Sequence, residues 1–173
     1  LAGANQGTIY ESYATGQVDS SGSYQAGGLV GYNAGFINKS YVSGAVTNKV
    51  SGKGLSFFSS LGGLIGQNEG IVRDAYSEAS VSSTFETLNQ NPAINIGGLV
   101  GSNLRGGTIQ RSYATGAGST ASDNSVTASQ VFVGGLFGQH FGESIGNYWN
   151  KETTSQTGMA GTGLVSTSGG LTS

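Results

Sequence analysis

One block of sequence recurs along the whole chain, and this repetition constrains the fold more than any other feature. The block reads GGLVGYNAGFINKSYVSGAV over residues 27–46, and near-copies begin at Gly62, Gly97 and Gly134. A fifth copy, which lacks the first residues of the block, opens the chain as LAGANQGTIYESYATGQV. A repeated unit of this kind buries its apolar face only against its neighbours, which is typical of solenoids and propellers.

When the copies are aligned, the same residue types fall into rows. The leucine row has spacings of 28, 35, 35 and 37 residues and contains Leu1, Leu29, Leu64, Leu99 and Leu136. An asparagine row consists of Asn5, Asn33, Asn68 and Asn103, with His140 in the last place. A β-branched row consists of Ile9, Ile37, Val72 and Ile109, with Ser144 in the last place and Ile145 beside it. We expect the leucine and β-branched rows to line the interior, and the asparagines to form a corner where the amides of successive units hydrogen-bond.

The segment ESYATGQV, residues 11–18, alternates in a way that assigns its two faces. Its inward positions hold small or apolar residues in each copy, beginning with Ser12, Ala14, Gly16 and Val18. Its outward positions begin with a charged row, in which the signs alternate: Glu11, Lys39, Asp74 and Arg111. Like charges on directly opposed strand positions are destabilising, so this alternation predicts parallel, in-register stacking of the units.

Two positions after the charged row comes a row of tyrosines, which consists of Tyr13, Tyr41, Tyr76, Tyr113 and Tyr148. By parity with the charged row these side chains point outward, where aromatic rings could stack on sugars. A second interpretation is that the chain bends before them and that the rings pack inside or under the variable segments. Exposure of the row decides between a ligand-binding surface and packing.

The copies are separated by variable segments, residues 19–26, 47–61, 82–96 and 119–133. The longer ones begin with polar runs that predict protruding loops and end in apolar runs that predict strands. The closing segment, residues 147–173, drops the repeat and carries Trp149, the only tryptophan. We therefore divide the chain into a five-unit repeat array over residues 1–146 and a capping segment after it.

The composition favours β-structure and limits the classes of binding partner. The chain has 32 glycines, one proline and 9% charged residues, so turns are frequent and helices have little support. A net charge of −2 offers no basic surface for nucleic acid, and no apolar run reaches the ~20 residues that span a bilayer. We expect no cofactor, no metal, no membrane insertion and a monomer. Because Leu1 falls inside a repeat, we expect the chain to be a fragment of a longer protein.

These patterns together predict an all-β fold, a parallel β-solenoid (β-helix) of about five coils with a C-terminal cap. The alternative is a set of antiparallel hairpins arranged as a β-prism or propeller-like array. Strand pairing between the tyrosine positions of successive copies distinguishes the solenoid from the antiparallel alternative.

The pattern GGLVGxNxGxIxxSYxTGxV resembles the GLUG repeat of bacterial surface proteins, and the resemblance covers nearly the entire chain. The closing YWNKETTSQTG is also similar to the segment that follows such repeats. The resemblance implies a secreted, cell-surface context of the filamentous-haemagglutinin-like adhesin type, without identifying a ligand. The third copy departs from the pattern, since it reads AYSEASV from Ala75.

Three functions are compatible with the sequence. The first is a structural and binding module of an adhesin that contacts glycans or proteins of host or neighbouring cells, with Tyr13, Tyr41, Tyr76 and Tyr113 as the candidate contact residues. The second is a passive spacer beside another functional domain, and the third is a polysaccharide-acting β-helix enzyme. The sequence lacks the paired-carboxylate signal of such an enzyme, because the candidate catalytic carboxylates are scattered: Asp74, Glu78 and Glu86. His140 is interpreted as a turn residue, because no second ligand accompanies it.

Overall fold

The computed structural model describes residues 1–21, 24–51, 58–86, 93–122, 130–163 and 169–171. Each of the first four coils contributes five short strands, and each strand stacks on its counterparts in the neighbouring coils. The result is five sheets in which every pairing is parallel. The predicted parallel β-solenoid is confirmed, and the antiparallel prism or propeller alternative is wrong.

The five sheets follow one another along each of the first four coils, from sheet 1 to sheet 5. Sheet 1 contains Ala2–Asn5, Val30–Asn33, Ile65–Asn68, Val100–Asn103, Phe137–His140 and Ala160–Gly163. Sheet 2 contains Thr8–Tyr10, Phe36–Asn38, Ile71–Arg73, Thr108–Gln110 and Glu143–Ile145. Sheet 3 contains Tyr13–Ala14, Tyr41–Val42, Tyr76–Ser77, Tyr113–Ala114, Tyr148–Asn150 and Gly169–Leu171. Sheet 4 contains Gln17–Ser21, Ala45–Ser51, Ser80–Glu86 and Gly118–Ser122. Sheet 5 contains Gln25–Gly27, Phe58–Gly62, Ala93–Gly97 and Gln130–Gly134.

Two apolar clusters fill the interior. The larger lies within sheets 1 to 3 and holds the leucine and β-branched rows, of which Leu29, Leu64, Leu99, Leu136, Ile37, Val72 and Ile109 are fully buried. The smaller lies between sheets 4 and 5 and consists of Ala26, Val46, Leu61, Val81, Ile94 and Ile96. The predicted inner rows are thus confirmed except at Leu1, which is 74% exposed. The slip in the fifth copy is also confirmed, since Ser144 is buried and Ile145 is exposed.

Sheets 1 and 5 approach each other closely through a column of glycines. A Cβ atom on Gly66 of sheet 1 would lie 2.7 Å from the backbone nitrogen of Ala26 in sheet 5. Polar side chains bridge the same two sheets, as where Gln25 Nε2 donates to Gln67 Oε1 at 2.7 Å. The glycine of the repeated Val-Gly or Ile-Gly pair is therefore needed for sheet contact, since any side chain there would separate the two backbones.

The beginnings of the variable segments correct the sequence prediction. Residues 47–51, 82–86 and 119–122 are predicted to be loops, yet they lie in strands that pair residue by residue with the strands of neighbouring coils. Stacking supplies their backbone hydrogen bonds, so a polar run remains in a strand by turning Lys49 outward and Asn48 inward, where Asn48 Nδ2 donates to Ser59 Oγ at 3.1 Å. The predicted strands at the apolar ends are confirmed, and residues 52–57, 87–92 and 123–129 lie outside the described part.

The closing segment loses the repeat sequence but continues the coil. Ala160–Gly163 adds a sixth strand to sheet 1, and Gly169–Leu171 adds one to sheet 3. Trp149 pairs with Ala114 and is 5% exposed, and its Nε1 donates to the carbonyl of Gln156 at 2.9 Å. A single helical turn, Lys151–Thr154, lies between the strands Tyr148–Asn150 and Ala160–Gly163.

Candidate functional site

The asparagine row forms a buried hydrogen-bonded ladder at the corner between sheets 1 and 2. Each side-chain Nδ2 donates to the Oδ1 of the next coil, from Asn5 to Asn33 at 2.7 Å, from Asn33 to Asn68 at 2.7 Å and from Asn68 to Asn103 at 2.8 Å. The predicted corner is confirmed. The ladder joins coils along the axis, and its atoms are too buried to meet a ligand.

His140 ends this ladder. Its Nδ1 lies 3.2 Å from Asn103 Nδ2, and its ring stacks on Phe137 with centroids 4.4 Å apart. Because Asn103 Oδ1 already accepts from Asn68, the Nδ2 group faces His140, so Nδ1 accepts and the proton of the neutral ring sits on Nε2. Burial lowers the pKa of His140, and its Nε2 has no hydrogen-bond partner among the described residues.

The charged row lies at the next corner, between sheets 2 and 3, rather than within one continuous strand. Glu11, Lys39, Asp74 and Arg111 all adopt left-handed backbone angles, with φ between 46° and 51°. The bend that the second interpretation of the tyrosine row required is therefore present. It turns the chain between the two sheets and leaves the charged side chains outside.

Opposite charges in this corner row pair across the coils, as the alternating signs predict. Arg111 Nε and Nη2 bind the two carboxylate oxygens of Asp74, both at 2.7 Å. Lys39 Nζ lies 3.5 Å from Glu11 Oε1 and 3.2 Å from the hydroxyl of Tyr10. The hydrogen bond from Arg111 lowers the pKa of Asp74, and the Tyr10 hydroxyl with the Glu11 carboxylate raises the pKa of Lys39.

The tyrosine row is a surface stack. Tyr13, Tyr41, Tyr76 and Tyr113 lie ring on ring, with centroids 5.2, 4.8 and 4.9 Å apart and interplanar angles of 9°, 2° and 0°. Tyr13 is 61% exposed and Tyr113 is 41% exposed, while the two inner rings are half-buried by their neighbours. Tyr148 continues the row in register with Tyr113. The stack thus points outward, and packing inside the coils is excluded.

Stacking changes what this row can offer a ligand. The ring faces of Tyr41 and Tyr76 are covered by the tyrosines above and below them, so a sugar cannot stack there. Their ring edges and hydroxyl groups remain available. Desolvation in the stack raises the pKa of Tyr76 and Tyr113, so these hydroxyls keep their protons and act as donors as well as acceptors.

The outer surface of sheet 2 adjoins the corner row and adds apolar and cationic side chains. Strand alternation buries Ile37 and Val72 and turns Phe36, Ile71 and Arg73 outward. The guanidinium carbon of Arg73 lies 5.9 Å from the centroid of the Phe36 ring. We call the stacked tyrosines, the charged corner row and the outer side chains of sheet 2 the tyrosine face.

Sequence comparison of the repeats did not reveal the sheet 2 part of this surface. The outer row that contains Phe36 and Ile71 also contains Thr8, Thr108 and Glu143, so no single residue type or charge runs through the row. Alternation around the β-branched row was the available signal, since the residues on either side of a buried strand residue point outward.

A polar recess of about 370 Å³ lies on sheet 4 and is lined by Asp19, Ser20, Ser21, Thr47, Asn48, Lys49, Ser82 and Thr84. Asp19 accepts short hydrogen bonds from Thr47 Oγ1 and Gln17 Nε2, which lower the pKa of the carboxyl. This recess lacks the aromatic side chains of the tyrosine face.

The remaining candidates form no reactive centre within the described residues. Asp74 is bound by Arg111, Glu78 is exposed, and the side chain of Glu86 lies outside the described part. In the ranges that the structure describes, no cluster of three or more His, Cys, Asp or Glu residues is placed to hold a metal. No helix there has the length and apolarity to cross a membrane.

Comparison of the chain with models of protein families, with curated proteins and with solved structures found no match in any of the three.

Proposed function

We propose that this chain is a structural and binding repeat module of a secreted bacterial adhesin, and that its tyrosine face holds a linear glycan along the axis of the coils. The observation that carries the proposal is the exposed tyrosine stack, which repeats one phenol per coil at centroid spacings of 4.8 to 5.2 Å. A polymer with a regular repeat meets equivalent groups along such a row. The adhesin context comes from the resemblance of the repeat to GLUG sequences.

The contact mode follows from the stacking. Hydroxyls of Tyr41 and Tyr76 exchange hydrogen bonds with sugar hydroxyls, because their ring faces are covered.

Replacing Tyr41→Phe together with Tyr76→Phe tests the proposal, since phenylalanine keeps the stack and removes the hydroxyls. A neutral hydrogen bond contributes about 0.5–1.5 kcal/mol, so loss of two lowers affinity by about tenfold or more. A glycan array identifies the ligand, and calorimetry measures the change. The matched control is Tyr24→Phe, a tyrosine 58% exposed that lies outside the tyrosine face. Equal weakening by the control would contradict the proposal.

The second candidate is a passive spacer. It is favoured by the same ring contacts, because aromatic pairs contribute about 0.5–1.5 kcal/mol each beyond the area they bury and stiffen the coil without any ligand. Binding to no glycan on the array, with lower stability of a Tyr41→Ala, Tyr76→Ala variant, would favour the spacer.

A further inference from the structure

We propose that the tyrosine face contains a subsite for a carboxylate-bearing sugar, a uronate, in which Arg73 binds the carboxylate while Phe36 and Ile71 contact the sugar ring. The inference rests on the proposed function, because it names the class of glycan that the same surface takes.

Two cations of this surface are already paired with carboxylates. Lys39 is paired with Glu11, and Arg111 is paired with Asp74 through two hydrogen bonds. Arg73 has no hydrogen-bond or ion-pair partner in the part of the chain that the structure describes, and its Nε is buried without one. One guanidinium on the tyrosine face therefore has no direct hydrogen-bond or ion-pair partner among the described residues, and its charge acts on the Asp74 carboxylate only from a distance.

The guanidinium of Arg73 is held over the ring of Phe36. Phe36 pairs with Ile71 in sheet 2, so Arg73 reaches diagonally across the strands to lie over the Phe36 ring, 5.9 Å from its centroid. A guanidinium placed on an aromatic ring keeps a defined orientation, and its planar fork matches a carboxylate. Ile71 is 39% exposed beside it and provides an apolar contact for the C–H groups of a sugar.

The strand neighbours of Arg73 and Ile71 in register are uncharged. The strand neighbours of Arg73 in register are Asn38 and Gln110, and the outer neighbour of Ile71 toward the C-terminus is Thr108. None of the three is acidic, and the partly exposed Gln110 and Thr108 carry hydrogen-bonding groups suited to sugar hydroxyls. The adjacent carboxylate in the chain, Asp74, is already bound by Arg111. Glu143 lies beyond Thr108 and its carboxylate accepts from the Thr108 hydroxyl at 3.5 Å.

An apolar contact, uncharged polar neighbours and one guanidinium without an ion-pair partner favour an acidic sugar over an acidic peptide, because the C–H groups and the hydroxyls of a sugar both find partners here. A charge-assisted, bidentate Arg–carboxylate contact also distinguishes a uronate from a neutral sugar of the same shape. The predicted ligand is therefore a linear polysaccharide with uronate units.

The test compares oligomers of galacturonate and of mannuronate with their methyl esters, which keep the sugar ring and mask the carboxylate. Hydrogen bonds to charged groups contribute about 1.5–3 kcal/mol, so the wild-type chain should bind at least one acid form about ten- to a hundredfold more tightly than its ester in calorimetry. Arg73→Gln should bring the affinities for acid and ester to the same value. Arg73→Lys, which keeps the charge and loses the fork, should retain part of the preference.

Arg105→Gln is the matched control, because Arg105 is an exposed arginine in the turn after sheet 1, away from Phe36. It should keep the full preference for the acid. Circular dichroism and Trp149 fluorescence verify that each variant is folded.

Equal wild-type affinity for acid and ester in both series would overturn the inference and leave the proposed function in place. The same holds if Arg105→Gln abolishes the preference as fully as Arg73→Gln. Competition by oligoglutamate as effective as that by the uronates would reassign the surface to acidic peptides. Binding to none of these oligomers and to no glycan on an array would overturn the inference and the proposed function together.

Discussion

At the scale of single residues, His140 shows how one substitution changes a repeated structural device. The other corner positions hold asparagine, whose amide both donates and accepts, so the ladder passes from coil to coil. A neutral imidazole accepts through Nδ1 and ends the chain of amides, and its stacking on Phe137 adds apolar contact. Protonation of Nδ1 would point two donors at each other inside the core.

We predict that stability falls as the pH drops below about 6.5, the ordinary pKa of an unfolded histidine. Burial lowers the pKa of His140 in the folded chain, so the unfolded chain binds the extra proton first. The loss is at most about 1.4 kcal/mol per pH unit until the folded pKa is reached. Urea unfolding at pH 7.5, 6.5 and 5.5, followed by Trp149 fluorescence, measures it.

The variant His140→Asn restores the ladder residue and should remove this dependence above pH 5. The hydrogen-bonded carboxylates Asp19 and Asp74 have lowered pKa values, so their contributions are lost only as the pH falls further, below about 4. An unchanged pH dependence in the variant would show that another group is responsible.

At the scale of strands and sheets, the glycine column of sheet 1 decides how closely sheets 1 and 5 pack. Gly66→Ala would place a methyl group 2.7 Å from Ala26 N, and neither backbone can move without disturbing its own ladder. We expect a loss of about 1–3 kcal/mol or more in the free energy of unfolding, measured by chemical denaturation.

Gly3→Ala is the matched control for this column. Gly3 occupies the equivalent position in the first coil, where a Cβ would meet no atom within 4 Å. Its replacement should be neutral within about 0.5 kcal/mol. Comparable losses in both variants would mean that glycine acts through the unfolded chain rather than through sheet contact.

Pairing between coils also explains why a polar run that the sequence predicts to be a loop lies in a strand, Ala45–Ser51. Lys49 and Asn48 belong to a run whose polarity is typical of loops, but strands of both neighbouring coils pair with these two residues in register. Local polarity is a weak guide where neighbouring coils provide the hydrogen bonds.

At the scale of the whole molecule, a residue's contribution depends on its place in the stack. Leu99→Ala, in a fully buried central position, should cost about 2–5 kcal/mol in denaturant unfolding. Leu1→Ala, in the same row but 74% exposed, should cost less than about 0.5 kcal/mol. Similar costs would contradict the nearest-neighbour view of this solenoid, in which each coil is stabilised by the coils beside it.

The sequence by itself determined the repeat number, the parallel register and the inner rows, and it placed Asn68 at a corner and Asp74 opposite Arg111. These features are periodic, so alignment of the copies reveals them. Only the tertiary structure decided that the tyrosine rings cover one another and that Arg73 lies on Phe36. The contact between Arg73 and Phe36 joins unlike residues of adjacent coils and therefore leaves no periodic trace in the sequence. The tyrosines do recur, but recurrence does not specify how their rings are oriented, because that depends on the bend at the corner and on the side-chain rotamers.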